Sequence, residues 1–387
     1  MSHRPARLRA TVLAIAACGT VAAAAAAGAV SAATVVGRAP ASLLTAAIPR
    51  LTLPQLAGQR VIYSYSGLNP PAALLSLIRN GEAAGVIFFR GNISSPTQIR
   101  GVIRTLEAAD ASRSNPVRAP LLLMTDQEGG EVRRLPGAPV LSEKQIGASA
   151  HPAHQAAAAG TGAGQNLRGV GMNVNLAPVL DVFRTPGDFD DQFGRSYSMN
   201  PTVVSRLGAD FITAQQHVGV AATAKHFPGL GAAAASQNTD AEPVTLNLSA
   251  ATIRGDDELP YRAAIAARVK LVMVSWAVYP ALGSRRPAGL SGLVIGGELR
   301  TRLGFKGVTI TDALEAGALR AFGTTQNRAW LAAGAGMDLI LCAVGSPSQG
   351  QAAMSGLEHG YVNGTLNHAA FQAAVARILA LRASLPA

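Results

Sequence analysis

From residue 58 onward, short unbroken apolar runs alternate with longer stretches in which apolar residues recur at helical spacing. The runs are Arg60–Ser66, Gly85–Arg90, Pro120–Asp126, Met172–Val182, Ala222–Phe227, Leu271–Trp276, Gly307–Asp312 and Met337–Ala343. Each is dense in β-branched residues or leucine and lacks the apolar–polar alternation of a half-exposed strand, as expected of strands covered on both faces. Enough chain for a helix follows each of them. Thr97–Ala109, with Ile99, Val102, Ile103 and Leu106 on one face, represents such an outer helix. Eight βα units in succession predict an α/β fold, a single (β/α)8 TIM-type barrel. The competing doubly wound sheet would carry a glycine-rich dinucleotide loop. Gly160-Thr161-Gly162 and Gly229-Leu230-Gly231 both lack the third glycine at the required spacing.

Ahead of the barrel pattern the chain changes character. Residues 1–9 hold Arg4, Arg7 and Arg9, and Ala10 to Val36 carry no charge, which reads as an export signal over 1–33. Val30-Ser31-Ala32 offers a cleavage site. Ile15-Ala16-Ala17-Cys18 also resembles a lipoprotein box, so lipid anchoring at Cys18 and an uncleaved anchor stay open beside cleaved secretion. All three place the chain outside the cytoplasm, secreted or associated with the cell envelope. Residues 34–57, with Pro40, Pro49 and Pro54, read as a linker and lead-in, and 58–387 as the one catalytic domain. Without the leader, Cys342 is the single cysteine and no internal disulfide is possible.

The net charge is +11, but the arginines are scattered singly, not gathered into a stripe with interleaved aromatics, which disfavours nucleic acid as a partner. His151 and His154 have metal-pair spacing, yet Pro152 separates them and no further ligands lie nearby, so neither a metal nor any other cofactor is expected. The expected partner is a small substrate, bound by a monomeric chain.

In a parallel barrel, reactive groups sit at the C-terminal ends of the strands. Several runs here end in polar residues: Asp126-Gln127-Glu128, Asp181, Lys225-His226 and Thr311-Asp312. Asp312 follows Val308-Thr309-Ile310-Thr311 and therefore projects at the rim, where a carboxylate could act as a nucleophile. Asp181 reads as a cap or loop brace. Lys225 continues a strand directly, where a cation needs an oxygen-rich partner, either ligand hydroxyls or a salt bridge to Asp126 or Asp181.

These motifs, in this order, resemble family-three glycoside hydrolases of the single-domain β-N-acetylhexosaminidase type. The likeness runs from about residue 53 to 380 and includes Gly85-Val86-Ile87-Phe88-Phe89-Arg90-Gly91-Asn92, Asn175-Leu176-Ala177-Pro178, Gly194-Arg195-Ser196-Tyr197 and Lys225-His226-Phe227-Pro228-Gly229. The resemblance implies that Asp126 and Arg134 hold sugar hydroxyls, that Arg195, Lys225 and His226 complete the pocket, and that Asp312 is the nucleophile. It also implies release of terminal β-linked N-acetylhexosamine with retention, through a glycosyl-aspartate intermediate.

One element departs from the family pattern. The expected Asp-x-His acid/base pair is replaced by Ser236 and Asn238, neither of which donates a proton usefully at neutral pH. Multidomain relatives carry their acid/base carboxylate in a further C-terminal domain, which is not expected here. Asp240, on an Ala-rich loop that would let it swing over a sugar, is the nearest ionisable replacement, with Glu242 beyond it. The alternatives are a sugar-binding protein with little hydrolytic activity, or a β-glucosidase or β-xylosidase on the same scaffold.

Overall fold

The computed structural model describes residue 46 and residues 48–386. The expected export signal, Cys18 and the first part of the lead-in lie outside the described residues. Eight parallel strands form the sheet: β1 (Val61–Tyr63), β2 (Gly85–Ile87), β3 (Leu122–Thr125), β4 (Val174–Asn175), β5 (Ala221–Phe227), β6 (Leu271–Val274), β7 (Val308–Thr311) and β8 (Ile340–Leu341). Each of β1 to β6 pairs with the strand that follows it in sequence. β8 pairs with β1 through Val61 and Ile340, and a bridge from Ile310 to Leu339 links β7 to the entry of β8, so the expected barrel closes.

The alternation hidden inside the apolar runs divides them between two cores. Ile62, Leu122, Met124, Leu271, Met273 and Ile310 meet inside the barrel, while Val61, Tyr63, Leu121, Leu123, Val272 and Val274 pack beneath the helices. Successive side chains on a strand point to opposite faces, and here both faces are dry. The last helix, His368–Ser384, adds Ile378 and Leu381 to the inner cluster and so plugs one end of the barrel. Its buried Arg382 donates to the carbonyls of Ala119 and Pro120, tying that plug to the entry of β3.

The helix Pro96–Asp110 buries Ile99, Val102, Ile103 and Leu106, the face its spacing predicts, and starts where Ser95 accepts from the Gln98 N–H. Between β6 and β7 the connection is different: its longest element is a π-helical segment, Leu293–Arg302. The fourth run is much longer than the strand it forms. Asn173 and Asn175 bond through their side-chain amides to the backbone of Leu121, Leu123 and Gln127, and Pro178 has no N–H to offer a ladder. Residues 48–57 of the lead-in belong to the packed body, since Ile48, Leu51, Leu56 and Ala57 are buried in the outer core. The helix Leu53–Gly58 begins in a capping box between Thr52 and Gln55. Among the described residues no helix is long and apolar enough to cross a membrane.

Candidate active site

At the C-terminal ends of the strands a cavity of about 220 Å3 brings together Asp126, Arg134, Arg195, Lys225, His226, Asp240 and Asp312, the residues singled out from sequence. They come from three strand ends and three loops. A parallel barrel points every strand end at the same mouth, which is why residues up to 186 positions apart in the chain, Asp126 and Asp312, share one wall.

Lys225 and His226 are neighbours in β5, and in a regular strand they would face opposite sides. Pairing with β6 shifts register between Ala224 and Phe227, and with that irregularity both side chains line the cavity. The Lys225 ammonium, only 2% exposed as a residue, lies 2.9 Å from Asp126 Oδ1 and 2.7 Å from Glu128 Oε1. Of the two salt bridges considered from sequence, the one to Asp126 forms; Asp181 is engaged elsewhere.

Glu128 is the centre of this network. Arg195 meets it in a bidentate pair, Nε and Nη2 each 2.9 Å from a carboxylate oxygen, and Arg195 Nη1 also binds Asp190 at 2.7 Å. Burial would push the Glu128 carboxyl upward, but the charges of Arg195 and Lys225 prevail and hold it at about 2. Glu143, buried nearby, has no such cations in contact. Burial and the Glu128 charge push it well above the usual range, and it accepts from the Val179 N–H at 2.9 Å.

His226 Nδ1 lies 2.7 Å from Asp181 Oδ2, and Asp181 Oδ1 accepts from the Leu230 N–H at 2.6 Å. Asp181 therefore braces the turn after β5 and orients the imidazole at once, a stronger version of its expected bracing role. Burial opposes protonation of His226, yet the Asp181 carboxylate outweighs it and raises the imidazole above its ordinary value. Asp181, Asp190 and His226 lie close enough together to hold a metal ion. The chemistry around them is unfavourable to one: Arg195 already binds Asp190, and burial pushes the Asp190 carboxyl up to about 6.

Asp312 follows β7, half-buried, and accepts from the Ala313 N–H at 2.7 Å. Asp240 stands at the exposed rim on the loop after β5. The Asp312 charge, followed by burial, pushes the Asp240 carboxyl up to about 6. Asn238 lines the cavity but its Oδ1 accepts from the Asp240 N–H at 2.8 Å, so it shapes the loop; Ser236 is exposed and outside the lining, as is Glu242.

In this conformation the Ala-rich loop is tied to its surroundings through backbone carbonyls. The Ala233 carbonyl accepts from the Phe189 N–H at 2.8 Å, that of Asp240 from the Gly317 N–H at 2.7 Å, and that of Thr239 from the Ala318 N–H at 3.0 Å. Its two ends are thus hydrogen-bonded to different neighbouring segments.

Sequence reasoning missed Glu128 and Asp190 as members of the site. Glu128 had a signal: it stands two positions after Asp126, in an extended segment, and so shares its face. Asp190 had none, because the short helix Phe189–Gln192 that presents it to Arg195 belongs to a long irregular connection.

Residues 48–381 match the family described as "Glycosyl hydrolase family 3 N terminal domain". An uncharacterized secreted glycosyl hydrolase of Arthroderma benhamiae is 45% identical over 86% of this chain and 93% of its own length. A β-hexosaminidase of Thioalkalivibrio sulfidiphilus is 33% identical over 68% of this chain and 75% of its own. Among solved structures, a family 3 β-N-acetylglucosaminidase from Paenibacillus superposes with a TM-score of 0.81 at 35% identity, over 86% of this chain and 63% of that one. A β-N-acetylhexosaminidase from Beutenbergia cavernae gives 0.78 at 29% identity over 86% and 98%. This chain thus spans somewhat less than two thirds of the Paenibacillus enzyme and nearly all of the Beutenbergia one. With a closed barrel, a carboxylate-bearing cavity at its strand ends and a family match over most of its length, the chain belongs to glycosyl hydrolase family 3 and is a glycoside hydrolase.

Proposed function

We propose that this enzyme releases terminal β-linked N-acetylhexosamine, N-acetylglucosamine in the first instance, with retention of configuration. The observation that carries the reading is the pair of carboxyl groups at one cavity, with Asp240 pushed up to about 6 chiefly by the charge of Asp312. Two carboxyl groups whose environments separate their protonation states are what acid-assisted displacement at an anomeric carbon needs. The names of the β-hexosaminidase and β-N-acetylglucosaminidase relatives support the choice of sugar.

In the first step the Asp312 carboxylate bonds to the anomeric carbon while the glycosidic C–O bond breaks, and Asp240 gives its proton to the departing oxygen. In the second, the Asp240 carboxylate takes a proton from water as that water attacks the anomeric carbon and releases Asp312. Lys225, Arg195, Arg134, Asp126 and His226 hold the sugar hydroxyls, as charge-assisted donors and acceptors that need little reorganisation. Export rests on the leader and on the secreted relative of Arthroderma.

A panel of aryl β-glycosides tests the sugar: faster hydrolysis of the glucoside or xyloside than of the N-acetylglucosaminide would replace the substrate. NMR of the first-formed product tests retention. Trapping with a slow fluorinated substrate tests the intermediate, and the label belongs on a peptide containing Asp312.

A further inference from the structure

A second cavity, of about 280 Å3, adjoins the first and is lined by Phe89, Asp240, Ala313, Glu315, Ala316 and Ala343. Phe89, Asp240, Ala313 and Ala343 line both cavities, so Asp240 stands on their common wall. A general acid must reach the oxygen joining two sugar rings, and a carboxyl between two adjoining cavities is placed to do so. We propose that the second cavity receives the leaving sugar, and that Glu315 makes it select uncharged or cationic leaving groups over anionic ones. This rests on the hydrolytic reading of Asp240 and Asp312 given above.

The lining supports both parts. Phe89 and three alanines make an apolar wall suited to the face of a sugar ring. The polar groups are both carboxyls, and no lysine or arginine is among the lining residues. Asp240 carries its proton when it acts as the acid, which leaves Glu315 as the standing charge. Glu315 is held in place through one oxygen, which accepts from Gln349 Nε2 at 2.9 Å and from the Ala343 N–H at 3.2 Å. Its other oxygen has no hydrogen bond among the described residues and is available to a donor on the ligand. Arg328, whose charge acts on Glu315, directs its guanidinium to the carbonyls of Leu314 at 3.1 Å and Gly323 at 3.0 Å and does not line the cavity. A chitin-type oligosaccharide has a neutral leaving sugar; a peptidoglycan fragment presents a carboxylate on it. The cavity fits the first.

The test compares three β-1,4 disaccharides on the wild-type enzyme: N,N′-diacetylchitobiose, the same compound bearing a 3-O-lactyl carboxylate on its reducing sugar, and the corresponding lactyl amide. The carboxylate compound should show a kcat/KM at least about fivefold below that of the amide, the factor expected for two like charges near contact in watery surroundings. The gap should shrink in high salt and in Glu315→Gln, whose amide keeps the oxygen that accepts from Ala343. Equal rates for carboxylate and amide, or a gap that salt leaves intact, overturn the selection by charge even if the variant fails to fold. Failure to cleave any of the three, including the amide, would instead remove the hydrolytic reading beneath it.

Discussion

The N–H of Gly317 donates to the carbonyl of Asp240 at 2.7 Å, joining the loop of the proposed acid to the segment that follows the proposed nucleophile. The approach is close enough that a Cβ on Gly317 would lie 2.1 Å from the Ala241 carbonyl oxygen. The separation of the two carboxyl groups is therefore set by backbone contact, not by the reach of side chains.

Gly317→Ala should push the Asp240 loop outward at a cost of about 1–3 kcal/mol in stability, the usual range for overpacking. Turnover of a natural disaccharide should fall more than that of a nitrophenyl glycoside, because only the former needs the acid. Equal losses on the two substrates would mean that Gly317 has no part in positioning Asp240.

Asp240→Asn should reduce hydrolysis of a disaccharide by about 10²–10⁴-fold and that of a nitrophenyl glycoside far less, since a good leaving group departs without protonation. Azide should restore part of the second step and yield a glycosyl azide of retained configuration. If both losses are small and no azide product forms, Asp240 is not the acid/base.

The pH dependence follows from the shift on Asp240. Its proton is required in the first step, so kcat/KM should decline as pH rises above about 6. Asp312 supplies the largest part of the upward shift, so replacing it by Asn should return the Asp240 carboxyl toward the ordinary range. NMR titration of Asp240 in Asp312→Asn checks this without any turnover, which that variant should lack.

Glu128→Gln should destabilise the fold by about 3–5 kcal/mol, because it removes the anion between two buried cations. The Glu128 carboxyl is depressed on folding, from 4.5 to about 2, so its contribution is present above the ordinary carboxylate range and lost as pH falls toward 2. Denaturant melts of both proteins from pH 6 down to pH 3 should show the difference between them narrowing.

Lys225→Ala and Arg134→Ala should each weaken sugar binding and turnover by about 1.5–3 kcal/mol, but only the first should cost comparable stability. Lys225 contacts two carboxylates at 2.7 and 2.9 Å, whereas Arg134 Nε stands 4.0 Å from Asp126. Unchanged kinetics in both variants would move the substrate site elsewhere.

Eight apolar runs were enough to predict the barrel, because a strand buried on both faces must be apolar at every position and a parallel sheet must spend a helix on each return. The same rule pointed to Asp126, Lys225 and Asp312, since a strand that ends in a charge at the mouth of a barrel announces where that charge will sit. The family resemblance also implied that Ser236 and Asn238 stand where a proton donor is usual. The protonation of the site was decided only by the tertiary structure. Glu128 is held low and Glu143 pushed up, although both are buried carboxyls, because Arg195 and Lys225 contact Glu128 directly and act on Glu143 only from a distance. Asp240 likewise owes its raised carboxyl to Asp312, which is 72 positions away in the chain and becomes a neighbour only when the barrel closes. Local pattern records what each residue can do, while charge interactions depend on distance in space, which no spacing along the chain contains.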